Sequence, residues 1–204
     1  MRVFTVIALL LTPLLAACPM SENTFMRVCP VDLDGDPATP PIYDYPIGYT
    51  EASTVCANPV EITWPMIPIS VWTIDTTLTP YVTDSVDWWN DALDEQFLEI
   101  TASEGNATVL WSPGGQHVGE AWHQLDADGT LYAWVSIHYV GDAQSIRSVI
   151  KHELGHVLGL AHDGWDASIM HGQLDLDLMS SPEPAIEMVT DADRTALRAK
   201  YATP

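Results

Sequence analysis

One short run carries three imidazoles and a carboxylate: His152-Glu153-Leu154-Gly155-His156-Val157-Leu158-Gly159-Leu160-Ala161-His162-Asp163. On a helix, residues four apart stack on one face about a turn apart, so His152 and His156 can present both rings to one ion. Glu153 sits beside the first of them, its carboxylate within reach of a water next to that ion. Gly159 can take a positive φ, which ends the helix and turns the chain sharply. The turn returns His162 as a third ligand. Three neutral imidazoles suit Zn2+, and three protein ligands leave a fourth position open, the arrangement of a catalytic site and not of a closed structural one. Zinc lowers the pKa of water toward ~7 and polarises a carbonyl. Glu153 then accepts the water proton and passes it to a leaving amine. A bare H-E-x-x-H is a weak signal; Gly159 and His162 in register make this one specific. An amphipathic helix with solvated His residues does not explain three His and a Gly at these offsets.

The rest of the chain must position that run. Ile146, Val149 and Ile150 give a helix from about Ala143 to Leu158 an apolar side to bury. Ile67, Ile69 and Val71 alternate with Pro68, Ser70 and Trp72, which predicts a strand running to Asp75. Thr79 suits an N-cap and Pro80 the first helical position, and Val82, Val86, Trp89 and Leu93 keep helical spacing to about Asp94. Phe97 to Thr101, Ala107 to Trp111, Gly119 to Gln124 and Leu131 to His138 are strand candidates. Thr190-Asp191-Ala192-Asp193 caps a last helix ending near Tyr201. This order predicts an α/β or α+β domain, a twisted sheet against two long helices.

Read together, these features resemble the metzincin metallopeptidases, specifically over His152 to Met170 and more loosely from about Glu61 to Pro204. The resemblance implies an α+β metzincin-like zincin domain: a twisted mixed sheet packed on two long helices, with a C-terminal helix. It also implies a zinc metalloendopeptidase with one catalytic Zn2+ and a protein or peptide substrate. A methionine turn is expected beneath the metal. Met170 in Ser168-Ile169-Met170-His171 stands at the matrixin-like separation from His162, and Met179 is then a loop or core residue. Asp163 is the adamalysin choice where matrixins usually have Ser, and Gly172 replaces the tyrosine of the astacin turn. His117, His123 and His138 match no second zinc pattern and read as exposed or capped. A fifth-ligand role for His171 has no support. Most of the Trp residues read as core or sheet cover, with Trp122 and Trp165 placed near the cleft.

Met1 and Arg2 start an apolar stretch that ends Leu15-Ala16-Ala17-Cys18, which resembles the lipobox of bacterial lipoproteins. It is expected to be a signal peptide over 1–17, with lipidated Cys18 holding the protein on a lipid bilayer. Pro19 in place of Asp favours, by resemblance, an outer-membrane or cell-surface location. Segment 18–60 is rich in Pro, Gly, Asp and Thr, an irregular linker ahead of the catalytic domain at 61–204. Cys29 and Cys56 most simply pair as a disulfide in an exported protein. Free thiols remain an alternative, as does Cys29 on the zinc, because Arg27 to Asp32 faintly echoes a cysteine switch. Asp32 to Asp36 reads as an acidic turn, since Ca2+ would need a closing Glu that is absent. The 28 acidic against 7 basic residues give a net charge of −21, which excludes nucleic acid as a partner. Two rivals stand beside the peptidase: a non-catalytic zinc lipoprotein acting as a binding or assembly module, and an enzyme acting on a non-protein amide.

Overall fold

The computed structural model describes residues 27–28, 60–112, 118–126, 128–138, 141–162, 168–171 and 188–202. Cys18, Cys29, Cys56, His117, Trp165 and Met179 lie outside them.

Among the described residues, seven strands and three helices follow one another: β1 (Arg27–Val28), β2 (Val60–Glu61), β3 (Ile69–Thr73), α1 (Thr79–Leu93), β4 (Leu98–Ile100), β5 (Ala107–Trp111), β6 (Gly119–Leu125), β7 (Leu131–Ile137), α2 (Ala143–Val157) and α3 (Asp191–Tyr201). β1 and β2 form a short antiparallel pair. The other five strands make one sheet in the order β4-β3-β5-β7-β6. Its strands run parallel except β6, which lies antiparallel to β7 at the edge. The fold is α+β with a mixed sheet, as the element order predicts.

Register assigns the two faces. Val71, Ala107 and Ala133 pair laterally, as do Val109, Val135 and Ala121, and all are buried under the helices. Period-2 alternation then turns Trp72, Thr108, Trp134 and Trp122 to the opposite face. Trp122 stacks on Trp134 there, with centroids 4.4 Å apart. This corrects its placement near the cleft: the two rings are cross-strand partners on the face away from α2.

α1 buries Val82, Val86, Trp89 and Leu93, the stripe read from the sequence. Each such side chain contributes roughly 1.5–3 kcal/mol when fully buried. Its N-cap is Leu78 and not Thr79. Asp75 already organises the approach, its Oδ1 accepting from the Thr77 N–H at 2.9 Å while its carbonyl accepts from the Leu78 N–H at 3.0 Å. Leu78 is thereby drawn fully into the core. β3 begins at Ile69, two residues later than its alternation suggests, where the Ile69 N–H donates to the Phe97 carbonyl at 2.8 Å and pairing begins.

α2 starts on Asp142, whose Oδ1 accepts from the backbone of Gln144 at 2.9 Å and Ser145 at 3.1 Å. The cap predicted for α3 is present and takes the form of a capping box, with the Asp193 N–H donating to Thr190 Oγ1 at 3.0 Å. Among the described residues no helix is long and apolar enough to cross a membrane.

Candidate metal centre

α2 carries the first two imidazoles, and the accounting of its terminal carbonyls explains how the third arrives. A helix leaves its last four carbonyls without intrahelical partners. Here Gly159, at φ +94, closes a Schellman turn. The Leu160 N–H donates to the Gly155 carbonyl at 3.0 Å, and the Gly159 N–H to the His156 carbonyl at 2.8 Å. The Val157 carbonyl accepts from Trp64 Nε1 at 2.7 Å, and the Leu158 carbonyl from the Tyr201 hydroxyl at 3.1 Å. With its end satisfied, the chain reverses and brings His162 back against α2.

The three rings converge. His162 Nε2 lies 3.1 Å from His152 Nε2 and 3.0 Å from His156 Nε2. Three nitrogens bound tetrahedrally at about 2.0–2.1 Å from one ion stand about 3.3 Å apart, so this donor set fits zinc. Two of the opposite ring nitrogens are engaged: His152 Nδ1 with the Ile169 carbonyl at 2.6 Å, and His156 Nδ1 with the Leu160 carbonyl at 2.8 Å. Carbonyl acceptors place the proton on Nδ1 and leave the Nε2 lone pair free, the support that metal-binding imidazoles receive from an outer layer of partners. Burial pushes His152 down to about 3, helped by the neighbouring His162, and holds His156 well below its ordinary value. Both are neutral at neutral pH and ready to bind a cation. Among the described residues, His152, His156 and His162 form a group able to hold a metal ion.

Met170 lies fully buried, with its Sδ next to Gly155 of α2. Its turn is pinned by the Met170 N–H donating to Ser168 Oγ at 3.0 Å and the Ile169 N–H donating to the Met188 carbonyl at 2.9 Å. The turn closes against the bare Cα of Gly155: a Cβ there would overlap Met170 Sδ and fall 2.9 Å from Trp89 Cζ2. Gly155 is thus a site residue to which the sequence reading gave no role; its helix-interior position next to the second His was the available signal. Gly155→Ala is expected to destabilise the protein by about 1–3 kcal/mol through overpacking and to speed zinc loss to a competing chelator. A melting curve and a zinc-release trace, each compared with wild type, test this.

Glu153 is only 4% exposed, and burial, reinforced by the charge of Glu120, pushes its carboxyl up to about 8. His171 shares the methionine turn, its N–H donating to the Ser168 carbonyl at 3.1 Å. His138 is capped, Nδ1 meeting the Ser112 carbonyl and Nε2 lying 3.8 Å from Glu120.

His123 is neither exposed nor capped, contrary to the expectation from sequence. It points from β6 toward α2, wholly buried, and neither ring nitrogen has a hydrogen-bond partner among the described residues. The nearby Val157 carbonyl already accepts from Trp64. Burial lowers His123 from 6.5 to about 4. The unfolded chain therefore takes up a proton below about pH 6.5, whereas the folded chain stays neutral until about pH 4. Stability is fully present above that window and falls as pH drops through it, by about 3 kcal/mol for this one group. His123→Leu should flatten the decline between pH 6.5 and 4 and leave stability at pH 7 equal or higher, since unsatisfied buried groups cost about 1–3 kcal/mol. Urea melts of both proteins at pH 7 and pH 4.5 test this; parallel declines would refute it.

The fold and the site together define an α+β domain with a three-histidine cluster able to hold a metal ion. No family model and no curated protein matches the chain. Among solved structures it is similar to myroilysin, at 12% sequence identity and a TM-score of 0.45, over 70% of this chain and 96% of that one.

Proposed function

We propose that the chain is a zinc-dependent metalloendopeptidase of metzincin type, held at a bacterial membrane through lipidated Cys18. The observation that carries the reading is the convergence of three Nε2 atoms at 3.0 and 3.1 Å with a buried carboxylate on the same helix. His152, His156 and His162 would hold one Zn2+, which supplies Lewis acidity toward water and a substrate carbonyl. Carbonyl partners hold the Nδ1 protons of His152 and His156 and so keep those rings oriented. Glu153 takes a proton from water and returns it to the departing amine. Burial raises the affinity of its carboxyl for a proton, and a neighbouring dication favours the carboxylate form, so the group is suited to accept and release in turn. An extended peptide would add to edge strand β6, which among the described residues pairs with β7 in its sheet. Incubation with a peptide library, with and without a chelator, tests the activity. Chelator-sensitive cleavage is expected, and no cleavage by zinc-loaded protein would overturn the reading.

The anchor is supported by Leu15-Ala16-Ala17-Cys18 following an apolar stretch. Such an anchor would put the domain outside the cytoplasm, at the outer membrane or cell surface. Expressed in a bacterium, the protein should partition with membranes, and Cys18→Ser should release it or leave the precursor uncleaved. A wild type recovered as free soluble protein with an unmodified N-terminus would refute the lipobox.

A further inference from the structure

We propose that Gly119 is a positioning residue for Glu153, its bare Cα reserving the space in which the carboxylate sits; this rests on the reading of Glu153 as the general base. Gly119 opens the edge strand β6, paired in register with Ile137 of β7. α2 packs over this end of the strand so closely that a Cβ at Gly119 would fall 2.6 Å from Val149 Cγ1, 2.8 Å from Glu153 Oε1 and 3.1 Å from Glu153 Cγ. Cβ atoms essentially never approach other atoms under 3.0 Å, so something must give.

The backbone does not require glycine here. Among the described residues the glycines with positive φ are Gly129 and Gly159, and Gly119 is not one of them. Glycine inside a strand weakens it and commonly marks a close approach by another group. At Gly119 the approaching groups are one methyl of a fully buried valine and the tip of the carboxylate. The valine is enclosed, whereas the carboxylate ends a side chain with several rotatable bonds. Swinging Glu153 aside relieves the clash with the carboxylate and moves the proton acceptor, while the clash with Val149 Cγ1 has to be relieved separately. Misplacement of a reacting group by about 1 Å can cost about 10²-fold in rate.

The test compares Gly119→Ala with wild type, and Gly119→Ala/Val149→Ala with Val149→Ala alone. The second pair removes the valine clash and leaves the clash with Glu153, so it also serves if the single variant folds poorly. In both pairs the alanine at position 119 should lower kcat about 10²-fold, change KM less than about threefold and leave one zinc bound. Equal kcat in the second pair would show that the strain runs through Val149 and overturn the proposal. A crystal structure of either Gly119→Ala protein should show the Glu153 carboxylate displaced by about 1 Å or more, and an undisplaced carboxylate would overturn it as well. Failure of zinc-loaded wild type to cleave any peptide would count against the peptidase reading instead, and the crystal structure would still decide whether Gly119 places Glu153.

Discussion

Glu153→Gln is expected to keep its zinc and its fold while losing nearly all peptidase activity. Glu153 follows His152 directly, and successive helix positions point about 100° apart, so the two do not readily ligate one ion. In the proposed function, proton transfer is the task assigned to this buried carboxylate. General acid–base catalysis contributes about 10²- to 10⁴-fold, and water near the metal also loses its positioning partner when the basic oxygen goes. Glutamine keeps the size of the side chain, so packing around it is preserved. Burial disfavours the charged form of Glu153, which is pushed up to about 8. Replacing it should therefore leave the melting temperature unchanged or slightly raised. Zinc content, a melting curve and a cleavage rate on matched preparations decide the matter. Equal cleavage by both proteins would end the catalytic reading. Loss of zinc in the variant would assign Glu153 to support of the site and favour the non-catalytic rival.

Removing the metal should have the second large effect, on stability as well as on activity. His162 Nε2 stands 3.0 to 3.1 Å from two other Nε2 atoms. Lone pairs that face one another at this distance repel unless a proton lies between them. An ion bound by the folded state alone stabilises it by about 4 kcal/mol when present at a thousand times its Kd. For a chain of this size that is roughly 8–16 °C in Tm. Dialysis against a chelator should lower Tm by about that amount and abolish cleavage, and zinc should restore both. Magnesium should restore neither, because it demands octahedral oxygen ligands. An unchanged Tm after verified zinc removal, or failure to bind zinc at all, would refute the metal centre.

The elements around this site were largely legible in the sequence, because each rests on local rules. Ala107 to Trp111 and Leu131 to His138 stood out as strand candidates, the latter for its β-forming residues, and β5 and β7 span Ala107–Trp111 and Leu131–Ile137. Helical spacing marked the stripe of α1, and the Thr190–Asp193 pair announced α3. The i, i+4 spacing of His152 and His156 and the turn at Gly159 depend only on backbone geometry within a few residues. That is why the cluster could be drawn before any fold was known.

What the sequence left open depends on contacts between residues far apart in the chain. It showed one apolar side for α2, yet Lys151, His152, Glu153 and His156 are buried as well, because the sheet, α1 and the methionine turn surround the helix. The tie that completes its end comes from Trp64, 93 residues away. The same holds for the burial of His123 and for the glycines at 119 and 155, whose missing side chains matter only because Glu153 and Met170 arrive next to them. Periodicity and capping are properties of a segment and its own backbone, so the sequence by itself determined the elements and the order of the ligands. Which atoms lie within 3 Å of one another depends on how separate segments pack, and only the tertiary structure decided it.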